Sequence, residues 1–231
     1  MNKKHISEEN LNFDMSSNVL KFLSEEQKEY IRNIMFSVNF SKGEIIFKQG
    51  TPMLHIVFII GGMAKIYIED NNNKNIVISL IKPGEIIGGP GFYTDYKHHF
   101  SVTALENTTA CFIEVAAFKK MILESPEFGL EFIRYRNIRH INFYDKLRVT
   151  SHKQMNGRLA HTLLYLSDTV YHSNSFKTTL TRQDLADMSS MTKESAIRVL
   201  KSFKESGIIE CQNNDFEIKN KTALKNILES G

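Results

Sequence analysis

The sequence is poor in cysteine. Its two thiols, Cys111 and Cys211, are too few for a four-cysteine iron–sulfur or zinc site within one chain, and lone thiols suit a reducing compartment. Long apolar runs are missing as well. The longest, Ile56 to Ile60, is far too short to cross a bilayer. The opening residues, MNKKHISEENLNFDMSSN, are polar throughout and lack the apolar centre of a secretory signal. A cytoplasmic protein with no membrane partner is expected. Arginine is absent between Arg32 and Arg134, and acidic residues are almost absent just beyond. From Arg134 to Arg158 the bases Arg134, Arg136, Arg139, Lys146, Arg148, Lys153 and Arg158 meet only Asp145. The formal charge of +3 with a pI near 8.7 permits nucleic acid without requiring it. With 42% hydrophobic and 24% charged residues the chain is globular and has apolar mass for a core. A length of 231 residues favours two domains over one.

What is present changes texture along the chain. A loose polar arm is expected over 1–18, then a short helix around Leu20 to Met35. From Phe40, runs rich in Ile, Val, Phe and Tyr (Ile45–Phe47, Ile56–Ile60, Lys65–Ile68, Ile76–Leu80) alternate with turn residues at Gly43, Gly50–Pro52, Gly61–Gly62, Asp70–Asn73 and Pro83–Gly84. Short strands closed at regular intervals by Gly, Pro or Asn predict an all-β roll or barrel ending near Val115. Ser125-Pro126 then marks a helix start, proline being tolerated in a first turn, and the pattern is expected to run to about Thr150 without another proline. Along it Phe132, Tyr135, Ile138, Ile141, Tyr144 and Leu147 recur every three residues, a slowly drifting stripe suited to a partner helix. Packing on the chain's own β domain is the alternative.

The last third reads as helices over Asn156–Tyr171, Thr181–Met188 and Thr192–Ser206. Strands at Ile208–Gln212 and Phe216–Ile218 follow, joined by Asn213-Asn214-Asp215, and a helix over Thr222–Leu228 ends the chain. The middle of this region has the form of a helix-turn-helix. Thr181 caps the first helix with Asp184 three residues on, Ser189-Ser190 makes the turn and Thr192 caps the second helix. Ala196, Val199, Leu200 and Phe203 share one face, leaving Lys193, Glu194, Ile197 and Arg198 turned outward where a recognition helix meets base edges. Arginine can donate twice to guanine and glutamate can accept from cytosine. Glu194 and Arg198 are also spaced for a surface salt bridge. The DNA-facing set expected is Thr181, Arg182, Thr192, Lys193, Glu194, Ser195, Arg198 and Lys201, with Lys219 and Lys221 beside the wing.

These segments resemble the Crp/Fnr superfamily of transcription regulators over about residues 20–220. Lys42–Gly50 resembles the family's first strand and turn, and Pro83–Gly88 the start of its ligand cassette. Asn156–Leu166 resembles the first helix of its DNA-binding domain, and Met191–Lys201 its recognition helix. The resemblance implies an α+β chain. Its parts are a cyclic-nucleotide-binding-like jelly roll over 19–124, a dimerisation helix over 125–150 and a winged helix-turn-helix over 151–231. It also implies a homodimer on inverted-repeat double-stranded DNA, RNA polymerase as a further partner, and no catalytic residues. The dimer seam is expected at Phe132, Tyr135, Ile138, Ile141 and Tyr144.

The resemblance breaks in the cassette. Cyclic-nucleotide-binding members use an acidic residue for the ribose and an Arg-Ser pair for the phosphate. Here Gly89 and Pro90 stand at the acidic position and His98-His99 at the basic one. A cyclic phosphate needs a fixed cation with several donors, so cyclic AMP is not expected as the effector. The effector pocket would comprise Gly88, Gly89, Pro90, His98 and His99, with no effector or cofactor identified. Residues 1–110 hold no cysteine, which excludes the cysteine-cluster sensor of the oxygen-sensing branch. His98 and His99 are read as part of a polar surface loop, Thr94 to His99, with haem or metal ligation as the sharper alternative. Cys111 reads as a buried small hydrophobe, and Cys211 as the more exposed thiol. The competing class is a metal-binding or enzymatic cupin-like roll, which would need three ligands on one inner face. The roll offers only His55, His98 and His99.

Overall fold

The computed structural model describes residues 19–69 and 75–230, so the polar arm and the asparagine turn expected at 71–73 lie outside it. The chain divides into two compact units. The described residues up to Ile68, with Leu80–Ile141, form one, and the rest form the other.

The first unit opens with a 3-10 turn, Val19–Phe22, and a helix α1 (Glu25–Ile34). Ser24 starts α1 with a complete capping box: its hydroxyl accepts from Gln27 N–H while the Gln27 side chain accepts from Ser24 N–H. Eight strands follow: β1 (Phe36–Phe40), β2 (Ile45–Phe47), β3 (His55–Gly61), β4 (Ala64–Ile68), β5 (Ile76–Ile81), β6 (Ile86–Ile87), β7 (Ser101–Ala104) and β8 (Thr108–Glu114). They make two four-stranded sheets in the orders β1-β8-β3-β6 and β2-β7-β4-β5. This is the expected jelly roll. β3 is apolar at consecutive positions because it is covered on both faces: Ile56, Val57, Phe58 and Ile59 are all buried. The turn between β3 and β4 requires glycine. Gly62 has φ +76°, and a Cβ there would lie 2.3 Å from the Asn107 carbonyl oxygen.

A helix α2 (Val115–Glu124) lies between the roll and the long helix α3 (Pro126–His152). Its start carries no side-chain cap, so no local signal in the sequence announces this helix. Ser125 ends α2 and, with Pro126, begins α3. α1, α2 and the first turns of α3 close the core of this unit. Phe118 sits edge-on to Phe128 and Phe132, with ring centroids 5.4 and 5.0 Å away, and Phe92 meets Phe132 at 5.8 Å. Such contacts suit the ring quadrupole, and each buried ring contributes about 1.5–3 kcal/mol through lost apolar surface.

In the second unit, α4 (Met155–Tyr165) runs into one π-helical turn, Leu166–Val170. Then come β9 (Ser175–Lys177), α5 (Arg182–Met188), α6 (Lys193–Glu205), β10 (Ile209–Gln212), β11 (Asp215–Ile218) and α7 (Lys221–Ser230). β9, at three residues, is too short to carry a strand period in the sequence. It joins the wing hairpin in a three-stranded antiparallel sheet, β10-β11-β9. A ring stack fixes it: Phe176 on β9 lies parallel to Tyr171 at 4.9 Å and to Phe216 on β11 at 5.7 Å. The division between the units falls within α3, between Ile141 and Asn142.

Candidate nucleic-acid interface

The helix-turn-helix is built from its caps. Thr181 precedes α5, and its hydroxyl accepts from Asp184 N–H at 3.1 Å while the Asp184 carboxylate accepts from Thr181 N–H at 2.8 Å. Asp184 is buried by this role, and a buried carboxylate at a helix N-terminus is steadied by the helix dipole. The turn passes through Ser190 at φ +50°. Thr192 then caps α6 by accepting from Ser195 N–H at 3.2 Å. Three side chains hold the turn. Thr162 shares a hydrogen bond with Ser189 (2.8 Å), Arg158 donates to the Ser190 carbonyl (2.9 Å) and Lys146 to the Met188 carbonyl (2.7 Å).

Ala196, Val199, Leu200 and Phe203 of α6 are buried, and Lys193, Glu194, Ile197 and Arg198 are exposed. Glu194 and Arg198, spaced for a salt bridge, do not form one among the described residues, so both face solvent with their hydrogen-bonding groups available. Ser195 is half-buried and held to Thr192. Lys201 is exposed and lies 3.7 Å from Glu205. Arg182, also in the expected DNA-facing set, contacts the wing. Its guanidinium lies over the Phe216 ring, 5.1 Å from the centroid, and donates to the Asn213 carbonyl at the wing tip, so it fixes the wing to α5. Lys221 is likewise paired with Asp168. Cys211 on β10 is half-buried.

The cassette departs from expectation in two ways. His98 is not part of a surface loop. It is buried at 7% exposure and stacked on Phe47 with ring centroids 3.8 Å apart. Burial pushes its pKa down to about 4, so at neutral pH it is uncharged. His99 is exposed and bonded to Asp95 at 3.0 Å. The second departure is that cations do reach the cassette, from α3. Arg136 donates to the Gly89 carbonyl at 2.9 Å, and Arg139 lies 3.4 Å from Glu85. The Tyr135 hydroxyl accepts from Ile86 N–H and donates to the Ile86 carbonyl. Tyr135, Arg136 and Arg139 share one helix face, a spacing visible in the sequence, but nothing there said which way that face turned. Gly88 and Gly89 line this contact, and Pro90 is exposed. Among the described residues, no three His, Cys, Asp or Glu side chains converge as a metal site would require.

The comparisons with known proteins agree with this layout. Residues 37–125 match the cyclic nucleotide-binding domain, and residues 157–227 match the Crp-like helix-turn-helix domain. The chain belongs to the Crp/Fnr family. It is similar to the transcriptional regulatory protein btr of Bordetella pertussis, 23% identical over 93% of this chain and 87% of that one. It is also similar to the cAMP-activated global transcriptional regulator CRP of Escherichia coli, 25% identical over 73% and 82% of the two chains. Among solved structures, FixK2 from Bradyrhizobium japonicum shares the fold with a TM-score of 0.77 at 16% identity, covering 84% of this chain and 97% of that one. As a Crp/Fnr chain, the protein is a DNA-binding transcription regulator. No helix among the described residues is long and apolar enough to cross a membrane.

The long helix of this Crp/Fnr chain carries two apolar faces, and they divide the residues expected at a seam. Phe132 is buried in the core of the first unit, and the half-buried Tyr135 is bonded to Ile86. Leu130, Ile133, Ile141, Tyr144 and Leu147 are exposed at 67, 56, 64, 63 and 53%, with Ile138 at 45%. Leu130, Asn137 and Tyr144 are spaced as one heptad position, and Ile133, His140 and Leu147 as the next.

Proposed function

We propose that the protein acts as a homodimer, paired through the outward face of α3 at Leu130, Ile133, Ile141, Tyr144 and Leu147, and reads an inverted repeat in double-stranded DNA. Two recognition helices related by a two-fold axis fit successive major grooves about 34 Å apart. The observation that carries this reading is the N-terminal half of α6, where Lys193, Glu194 and Arg198 stand exposed on a capped, internally packed helix. Arg198 donates to guanine and Glu194 accepts from the paired cytosine. Thr181, Thr192 and Lys201 lie where phosphates pass, while Arg182 acts through the wing. RNA polymerase is the further partner, as befits a transcription regulator, and the site of action is the cytoplasm.

The roll around Gly88, Gly89, Pro90 and His98 would hold a small effector other than cyclic AMP. A neutral His98 and the lack of an acid at Gly89 support that. A cupin-like enzyme or metal protein finds no support. Selection of bound duplexes from random DNA, with and without cell extract, tests specificity and effector dependence together. A pool that stays random in both arms would sink the reading.

A further inference from the structure

Lys146 stands on the last third of α3. The residue as a whole is half-buried, but its ammonium is drawn inward, and burial lowers its pKa to about 8. A buried charge is costly unless something meets it. Among the described residues no carboxylate does. What meets it is the carbonyl of Met188, 2.7 Å from Nζ. Met188 is the last residue of α5, where the unpaired carbonyls and the negative end of the helix dipole attract a cation. The chain beyond it turns within three residues, through Ser190 at φ +50°, into the Thr192 cap of α6. The ammonium therefore grips the backbone at the point from which the recognition helix takes its direction.

We propose that Lys146 is a positioning residue for DNA reading: by holding the carbonyl end of α5 it sets how α6 is presented, and because α3 carries it, it ties the reader to the helix of the dimer seam. The inference rests on the DNA-reading function proposed above. The charged groups around it are already engaged. On α3, Asp145 bonds to Arg148 (2.7 Å) and, across to α4, to His161 (3.1 Å). Arg158 of α4 donates to Ser190. On α5, Asp184 serves the Thr181 cap and Asp187 bonds to Gln183. Burial lowers the pKa of His161 against the pull of Asp145, so it is already neutral where Lys146 begins to lose its proton.

This role has a pH signature. The pKa of Lys146 is lower in the folded chain than in the unfolded one, so the unfolded chain binds the proton more tightly. Stability from this group therefore rises as pH climbs through about 8 toward the ordinary lysine value. The grip goes the other way, since a neutral amine is a weaker donor and feels no attraction to the helix dipole. Alkaline solution should steady the fold and weaken DNA binding. A lysine with only a structural role would not separate the two.

The test uses the duplex bound most tightly by the full-length wild-type protein in selection from random DNA. Binding and melting are measured at fixed ionic strength from about pH 7 to about pH 9.5, either side of the Lys146 value. Wild type should lose about tenfold in affinity over that range, while its melting temperature rises relative to Lys146→Met. The Lys146→Met protein, which keeps the aliphatic stem, should bind about tenfold more weakly at neutral pH and show no alkaline decline. Lys146→Arg keeps its charge throughout and should hold the neutral-pH affinity at the alkaline end. If Lys146→Met does not fold, wild type against Lys146→Arg at the alkaline end decides. Equal affinity and equal pH slopes in wild type and variants would overturn the proposal and leave DNA reading intact. If wild type selects no duplex at all, both fall.

Discussion

α6 and α3 are the two amphipathic helices on which this regulator depends, and they place their apolar side chains differently. α6 has one buried stripe, Ala196, Val199, Leu200 and Phe203, and leaves Lys193, Glu194, Ile197 and Arg198 exposed. α3 is apolar on opposite sides. Phe128 and Phe132 enter the core of the roll with Tyr135 packed against it, while Leu130, Ile133, Ile141, Tyr144 and Leu147 point outward. A helix with a single stripe announces its buried face by spacing alone. Two superposed stripes blur each other. The run Phe132, Tyr135, Ile138, Ile141, Tyr144, Leu147 begins on the inner face and ends on the outer one, because steps of three drift round a helix of 3.6 residues per turn.

The sharpest way to break that comparison is to charge the outer face of α3. Leu130→Glu with Ile141→Glu puts unpaired carboxylates into the proposed seam and should yield monomers by light scattering. Operator affinity should fall by about a hundredfold or more as the two half-sites lose their linkage. Phe132→Glu should do something else and unfold the roll, since that ring lies in the protomer's own core. A double variant that remains dimeric would move the seam off this face.

On α6 the expected effect is smaller and more specific. Arg198→Ala should cost about 1–3 kcal/mol per half-site and relax preference at one base pair in a repeated selection. On the proposed phosphate contact of Lys201, Lys201→Ala should weaken all sequences alike and flatten the salt dependence. An unchanged sequence preference in the Arg198→Ala protein would remove Arg198 from base reading.

The same contrast explains what the sequence disclosed. The caps at Thr181 and Thr192, the packed face of α6 and the strand-and-turn texture of the roll are local signals, and all are present in the structure. β9 was hidden because three residues, Ser175–Lys177, are too few for a period and owe their strand to the Phe176 ring stack. The interior place of His98 was hidden because Lys97-His98-His99 reads as polar surface. Its burial comes from Phe47, far away in sequence. Arg136 at the cassette was hidden for the same reason: the contact spans 47 residues.

His98 offers a test of the roll. Its pKa is about 4 in the folded chain and near 6.5 when unfolded, so the unfolded chain takes up the proton first. The stability tied to the neutral ring is fully present above about pH 6.5 and is lost as pH falls toward 4. His98→Phe can keep the stack on Phe47 and removes Nδ1, which is buried with no hydrogen-bond partner. Its melting temperature should fall less than that of wild type between neutral pH and about pH 4. Parallel curves would mean that His98 does not contribute to acid sensitivity.

The smallest expected effect is an absence of response to cyclic AMP. A ligand held by the folded state raises stability by mass action, about 2.7 kcal/mol at a hundred times its Kd, so even modest binding would register as a melting shift. The roll is poorly equipped for it. The acidic position is Gly89, where a Cβ would stand 3.1 Å from Met53 Cε, so that the thioether tip would have to shift, and 3.5 Å from the Phe100 ring. His98 is neutral and stacked, and Arg136, which reaches this turn from α3, already donates to the Gly89 carbonyl. Cyclic AMP at millimolar concentration should therefore leave the melting temperature unchanged. A saturable rise that disappears in Arg136→Ala would overturn this reading, with an arginine from α3 taking the place of the one the loop lacks.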